Sequence, residues 1–140
     1  MPVSPTYSKT ITVTKDFIDE NGHVNNVVYV QWMQDIAVEH YSSIGGVEAQ
    51  GPESTWVIRK HRIEYFLPAF EGEEIEIRTW VENVRRVRSL RQYEFIRKAD
   101  GKVLVKGETD WVFVDVKTGS PRAVPDVVIK VFQNQQPGTK

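Results

Sequence analysis

Between residues 19 and 26 the sequence reads Asp-Glu-Asn-Gly-His-Val-Asn-Asn, which brings a carboxylate, amides, an imidazole and a glycine together. A helical apolar repeat starts directly after it, so the segment ends where a helix begins. A helix start has backbone N–H groups without acceptors and a partial positive charge, the parts that stabilise an oxyanion developing on a carbonyl. A carboxylate seven residues before Asn26 can face that terminus as a nucleophile or a general base. The candidate site is therefore Asp19, with Asn21 and His23 beside it and the backbone N–H of Asn26 opposite. The same residue types also make a plain capping loop, in which Asp, Asn and Gly serve the turn and His23 only hydrogen-bonds to it.

Two kinds of element must hold this segment. From residue 26 to 44 the apolar residues Tyr29, Met33, Ile36, Ala37, Tyr41 and Ile44, together with His40, recur at spacings of three and four, the stripe of an amphipathic helix. Asn25 or Asn26 caps its start and Gly45-Gly46 stops it. Val28, Val30 and Trp32 widen the apolar face, so the helix is expected to be covered on more than one side. Before the segment, residues 7–14 alternate Ile11 and Val13 with Thr10, Thr12 and Thr14, as a half-buried strand does.

After an expected loop over 45–54, strands follow. Residues 55–67 place Val57, Ile63, Tyr65 and Leu67 on one face. Residues 73–84 place Ile75, Ile77, Thr79 and Val81 against Glu74, Glu76 and Arg78. Residues 88–98 and 102–116 form a hairpin around Ala99-Asp100-Gly101. Residues 118–125 read as a turn, 127–132 as a short helix or strand, and 133–140 as a loose tail. Four successive strands on short loops pair antiparallel, and the long helix lies on their face, an α+β pair of layers in one domain spanning 1–140. The uncovered helix side and sheet edges predict a homo-oligomer.

Composition removes several chemistries. The 140 residues are 40% hydrophobic with a net charge of -1, so disorder is not expected and no global field attracts nucleic acid or anionic lipid. The absence of cysteine excludes a thiol nucleophile, disulfides and thiolate metal sites. His23, His40 and His61 match no zinc spacing, so no metal is expected, and His40 and His61 read as structural. No Gly-x-Ser-x-Gly elbow and no phosphate-binding glycine loop occurs. No apolar run reaches the ~20 residues of a membrane span and the first residues lack a leader pattern, so a cytoplasmic protein without membrane partners is expected.

The stretch DFIDENGHVNNVVYVQW over 16–32 resembles the signature of hotdog-fold acyl-CoA thioesterases of the 4-hydroxybenzoyl-CoA thioesterase family, shared by acyl-carrier-protein thioesterases. The matching pattern is Asp-x-x-Gly-His-Val-Asn-Asn-x-x-Tyr, and YFLPAFEG over 65–72 and WVFVD over 111–115 resemble later strands. The resemblance implies a five-stranded antiparallel sheet wrapped around one long central helix. It also implies hydrolysis of an acyl thioester to a free acid and coenzyme A, or a carrier-protein thiol, without metal or cofactor. Asp19 falls on the carboxylate that attacks the carbonyl or activates water. Asn21 and His23 fall where the carrier-protein branch orients that acid, and Asn26 where the helix terminus polarises the carbonyl. A homotetramer of hotdog dimers, or a dimer, with the site between protomers, is implied as well.

Two basic groups, Arg85, Arg86, Arg88 and Arg91 and then Arg59, Lys60 and Arg62, match the phosphates of coenzyme A, or else form a solvated strand edge. Of these, Arg59, Arg86 and Arg88 are taken as substrate contacts, with Tyr29. Tyr29, Trp32, Met33, Trp56 and Trp80 can line an acyl pocket or pack a core. Asp35, Glu39 and His40 lie on the helix, and Asp35, opposite the apolar stripe, is expected to face solvent or an interface. The rival readings are a non-catalytic acyl-CoA binding module, which has no use for an acid facing a thioester, and a dehydratase, which needs a different acid–histidine arrangement.

Overall fold

The computed structural model describes residues 2–134. Strand β1 (Tyr7–Thr12) leads through a single 3-10 turn at Lys15–Phe17 to helix α1 (Asn26–Ser43). A short helix α2 (Gly46–Gln50) precedes β2 (Ser54–Tyr65), β3 (Glu74–Arg85), β4 (Arg88–Arg97) and β5 (Val103–Asp115), and α3 (Asp126–Asn134) closes the described chain. The five strands form one antiparallel sheet in the order β1-β3-β4-β5-β2, so β1 and β2 are its edges. This is the architecture that the resemblance implies.

Period decides what is buried. On α1 the residues Tyr29, Trp32, Met33, Ile36, Ala37 and His40 are buried, one stripe at three- and four-residue steps. All but His40 pack in one cluster with the inward residues of the central strands, Ile75 and Ile77 of β3, Tyr93 and Phe95 of β4 and Val105 of β5. A second cluster at the other end of the same face joins Val81 and Phe113 to Val128 and Phe132 of α3. The far side of α1 stays uncovered within one chain, for Val27 and Val38 are 72% and 55% exposed. The cover expected on more than one side is therefore not supplied by this chain.

Three local expectations need correction. The 45–54 segment contains α2, and Gly46 permits it: a Cβ there would lie 2.2–2.5 Å from the ring of Tyr41. Residues 133 and 134, in the expected loose tail, are the last two residues of α3. The rest of that tail, 135–140, lies outside the described residues. In β2 the register shifts between Ile58 and Lys60. The inserted residue reverses the alternation, so Val57 is 43% exposed while Ile63 is half-buried against the core. Among the described residues no helix is long and apolar enough to cross a membrane.

Candidate active site

The segment before α1 is a closed turn. An antiparallel bridge joins Ile18 to Val24. Within it Gly22 N–H donates to the Asp19 carbonyl at 3.0 Å, and Asp19 N–H donates to the His23 carbonyl at 3.0 Å. Gly22 takes φ +85°, the left-handed region that a Cβ disfavours. The Asp19 side chain joins this turn, its Oδ1 accepting from Asn21 N–H at 2.8 Å, the usual local habit of aspartate at the first turn position. The Oδ2 oxygen takes part in none of the hydrogen bonds of the described residues. Asp19 is half-buried, while the side chain of Asn21 is exposed.

The helix start is built by the next residues. Asn25 N–H donates to the Phe17 carbonyl at 2.9 Å, and Val24 N–H to the Ala69 carbonyl at 2.9 Å, which ties the segment to both neighbouring loops. Asn25 is the N-cap: its Oδ1 accepts from Val27 N–H at 2.9 Å, and its carbonyl accepts from Val28 N–H at 2.9 Å. Two of the first amides of α1 are thereby satisfied. That of Asn26, which has no intrahelical acceptor, keeps its N–H free among the described residues. The Asn26 carbonyl accepts from the Tyr65 hydroxyl at 3.1 Å, which anchors the helix start to the end of β2.

A cleft of about 180 Å³ opens at this terminus, lined by His23, Asn26, Tyr29, Tyr65, Leu67 and Pro68 among others. The Tyr29 hydroxyl is buried there without a hydrogen-bond partner among the described residues, and burial, with Tyr65 and Glu73 nearby, pushes its pKa up to about 12. It is a neutral donor at physiological pH. His23 Nδ1 lies 3.3 Å from the Val24 carbonyl, an atom that only accepts, so Nδ1 is the donor in this contact. The ring stands edge-on to Phe70 with centroids 6.5 Å apart.

His23, Asn26 and Tyr29 thus share one cleft. Asp19 and Asn21 sit on the turn that leads into it and do not line it within this chain. The arginines stand apart. Arg88 pairs in register with Val112 of β5, whereas Tyr65 pairs with Val105, seven residues or about 24 Å along the strand. Arg88 binds the carboxylate of Asp110 through Nε, at 3.3 Å, and Nη2, and Arg59 reaches the same carboxylate at 4.0 Å. Arg86, in the β3–β4 turn at φ 52°, is exposed and carries no ion pair among the described residues. Of the residues read as an acyl-pocket lining, Trp32 and Met33 are core, Trp80 lies on the outer face of β3 with its indole N–H on Glu82, and Trp56 lines a different cavity. Asp35 is exposed on α1, as expected, and accepts from Gln31 at 2.8 Å. Among the described residues no three His, Asp or Glu side chains converge as metal ligands.

Arg91 does not belong to the basic surface group. It points inward from β4, 3% exposed, beside His40 and Thr79. The alternation Ser89, Arg91, Tyr93, Phe95 carries that information, because four residues two apart share one face. The role of Tyr65 at the helix start has no such signal, since it depends on where the end of β2 meets α1.

A family model described as the thioesterase-like superfamily matches residues 13–132. A 1,4-dihydroxy-2-naphthoyl-CoA thioesterase from Synechocystis superposes with a TM-score of 0.81 at 15% identity, covering 93% of this chain and 97% of that one. A Staphylococcus aureus protein solved in complex with CoA gives 0.81 at 18% identity, covering 98% and 89%. An acyl-ACP thioesterase from Bacteroides thetaiotaomicron gives 0.82 at 25% identity, covering 94% of this chain and 54% of that one. A search of curated proteins gives no match.

Proposed function

The chain belongs to the thioesterase-like superfamily, and from that premise we propose that it hydrolyses acyl-CoA thioesters to a carboxylic acid and free coenzyme A. The observation that carries the reading is the start of α1, where Asn26, whose N–H has no intrahelical acceptor, lines a cleft next to the Asp19 turn. The thioester carbonyl oxygen accepts from that N–H, where the helix dipole favours the negative charge that develops on it. The Asp19 carboxylate supplies the other half. As nucleophile, it attacks the carbonyl carbon, the C–S bond breaks, the thiolate leaves, and water then hydrolyses the mixed anhydride. As general base, it takes a proton from water, whose oxygen forms the new bond as the thiolate departs. A thiol is acidic enough to leave without strong general-acid help, so one carboxylate and one oxyanion donor suffice. Asn21 and His23 position the acid and the water, and no metal or cofactor takes part.

The cleft is shallow in one chain, and its rim is apolar and open: Tyr65, Phe66, Leu67 and Phe70 are 37–52% exposed. Such a rim and the free edge of β2 support a homodimer, or a tetramer of dimers, in which a second copy covers the cleft and faces Asp19. The distance between Arg59, Arg86 or Arg88 and the cleft of their own chain fits the same reading. In it they meet the phosphates of coenzyme A bound at the partner's helix start.

The test is release of free thiol from a panel of short, long and aromatic acyl-CoA thioesters and one acyl-carrier-protein thioester. Turnover of at least one CoA ester is expected. Turnover of the carrier-protein ester alone would reassign the substrate, and no release from any would favour a binding module.

A further inference from the structure

A second cavity, of about 210 Å³, lies at the other end of α1 and shares no lining residue with the cleft at Asn26. Ala37, on its wall, is eleven residues along the helix from Asn26, about 17 Å. The walls are aromatic and aliphatic, with Trp56, Trp111 and Tyr41 foremost, and Val47 of α2 stands at the mouth, 49% exposed. Two buried polar side chains interrupt this lining, Ser89 and Arg91, 4% and 3% exposed.

Arg91 is the anomaly. It is a cation in the interior, and no carboxylate among the described residues pairs with it. Its hydrogen bonds run through Nη1 alone, to Nδ1 of His40 at 2.9 Å and the Thr79 hydroxyl at 3.1 Å, both neutral. An arginine offers five N–H donors in a planar fork, so Nε and Nη2 remain for a further acceptor. A buried charge without a counter-charge costs much of what it would gain with one, and a carboxylate fits the fork through two parallel bonds. The surrounding Trp and Ala walls suit an apolar body. The volume falls below the roughly 300–1,000 Å³ of pockets for drug-sized ligands, so the occupant is small.

We propose that this cavity is a binding site for a small amphipathic carboxylate, a medium-chain or aromatic acid, with its carboxylate on Arg91 and Ser89 and its apolar body between Trp56 and Trp111. The occupant is of the same chemical class as the acid that thioester hydrolysis releases, but the site stands without that reading, because binding is measured without turnover.

The test is titration of the intact protein with octanoate, benzoate and neutral octanol, read by tryptophan fluorescence and calorimetry. Saturable binding of one or both acids is expected, with octanol weaker than octanoate by about tenfold or more, the worth of hydrogen bonds to a charged group. Octanoate without benzoate would mark an aliphatic site, and the reverse an aromatic one. Arg91→Met should abolish the preference for acid over alcohol. Because that variant bears on the core, Val47→Trp, which closes the mouth from an exposed position, is the second probe. It should weaken acid binding at least tenfold and leave thiol release from any thioester the wild type hydrolyses unchanged. Equal binding of octanol and octanoate, an unaltered octanoate affinity in Val47→Trp, or no saturable binding of either acid would overturn the proposal.

Discussion

Arg91 donates through Nη1 to Nδ1 of His40 at 2.9 Å, across the interface between β4 and α1. An arginine only donates, so Nδ1 of His40 accepts and its ring is neutral, with the proton on Nε2. That Nε2 is buried without a partner among the described residues, and the ring stacks on Tyr7 with centroids 5.0 Å apart. Burial, and then the charge of Arg91, lower the His40 pKa from 6.5 to about 3.

Stability should therefore fall on mild acidification. Between pH 6.5 and about 3 the unfolded chain binds a proton at residue 40 that the folded chain refuses, so the unfolding free energy decreases as pH drops. From pH 7 to 5 the loss is about 2 kcal/mol from this group, and His61, whose pKa burial also lowers, acts in the same direction. Urea midpoints at the two pH values measure it. His40→Gln should flatten the slope, and an unchanged slope in that variant would assign the effect elsewhere.

The Asn25 cap fixes the start of α1, since its Oδ1 holds the Val27 amide. Asn25→Ala should cost about 1 kcal/mol, and Asn25→Gly only a few tenths. For a chain of this size the alanine variant should melt about 4 °C lower. Equal melting temperatures for the two variants would show that the side chain is not the cap.

Arg86 is the exposed cation of the β3–β4 turn, whereas Arg88 and Arg59 are engaged by Asp110. Arg86→Glu should raise KM for an acyl-CoA about three- to tenfold, a surface charge effect of about 1 kcal/mol, and change kcat little. Raising the salt concentration should shrink the difference. If KM and kcat both stay at the wild-type values, the nucleotide does not pass this turn.

What the sequence makes legible here follows periodicity and capping. The bounds of α1 differ by one residue from those its apolar repeat predicts, because Asn25 and Gly45 punctuate it on both sides. The inward faces of β3 and β4 follow from simple alternation, Arg91 included once the pattern outweighs residue type. The bulge in β2 is not legible, because it exists only in the pairing with β5, and it turns Val57 outward. The amide of Asn26 is predictable from the helix start, but the Tyr65 bond that anchors it depends on tertiary placement. For the same reason the two basic groups do not stay as the sequence groups them: Arg91 is buried, Arg88 and Arg59 share Asp110, and Arg62, Arg85 and Arg86 are exposed.

The most direct measurement is the turnover of Asp19→Asn against an acyl-CoA that the wild type hydrolyses, with circular dichroism to verify the fold. The amide retains the Oδ1 acceptor for Asn21 N–H, so the turn persists while the charge is lost. A fall in kcat of about two to four orders of magnitude is predicted, the range for a positioned acid–base or nucleophilic group. Near-normal turnover in a folded Asp19→Asn variant would contradict the account and move the chemistry away from the start of α1.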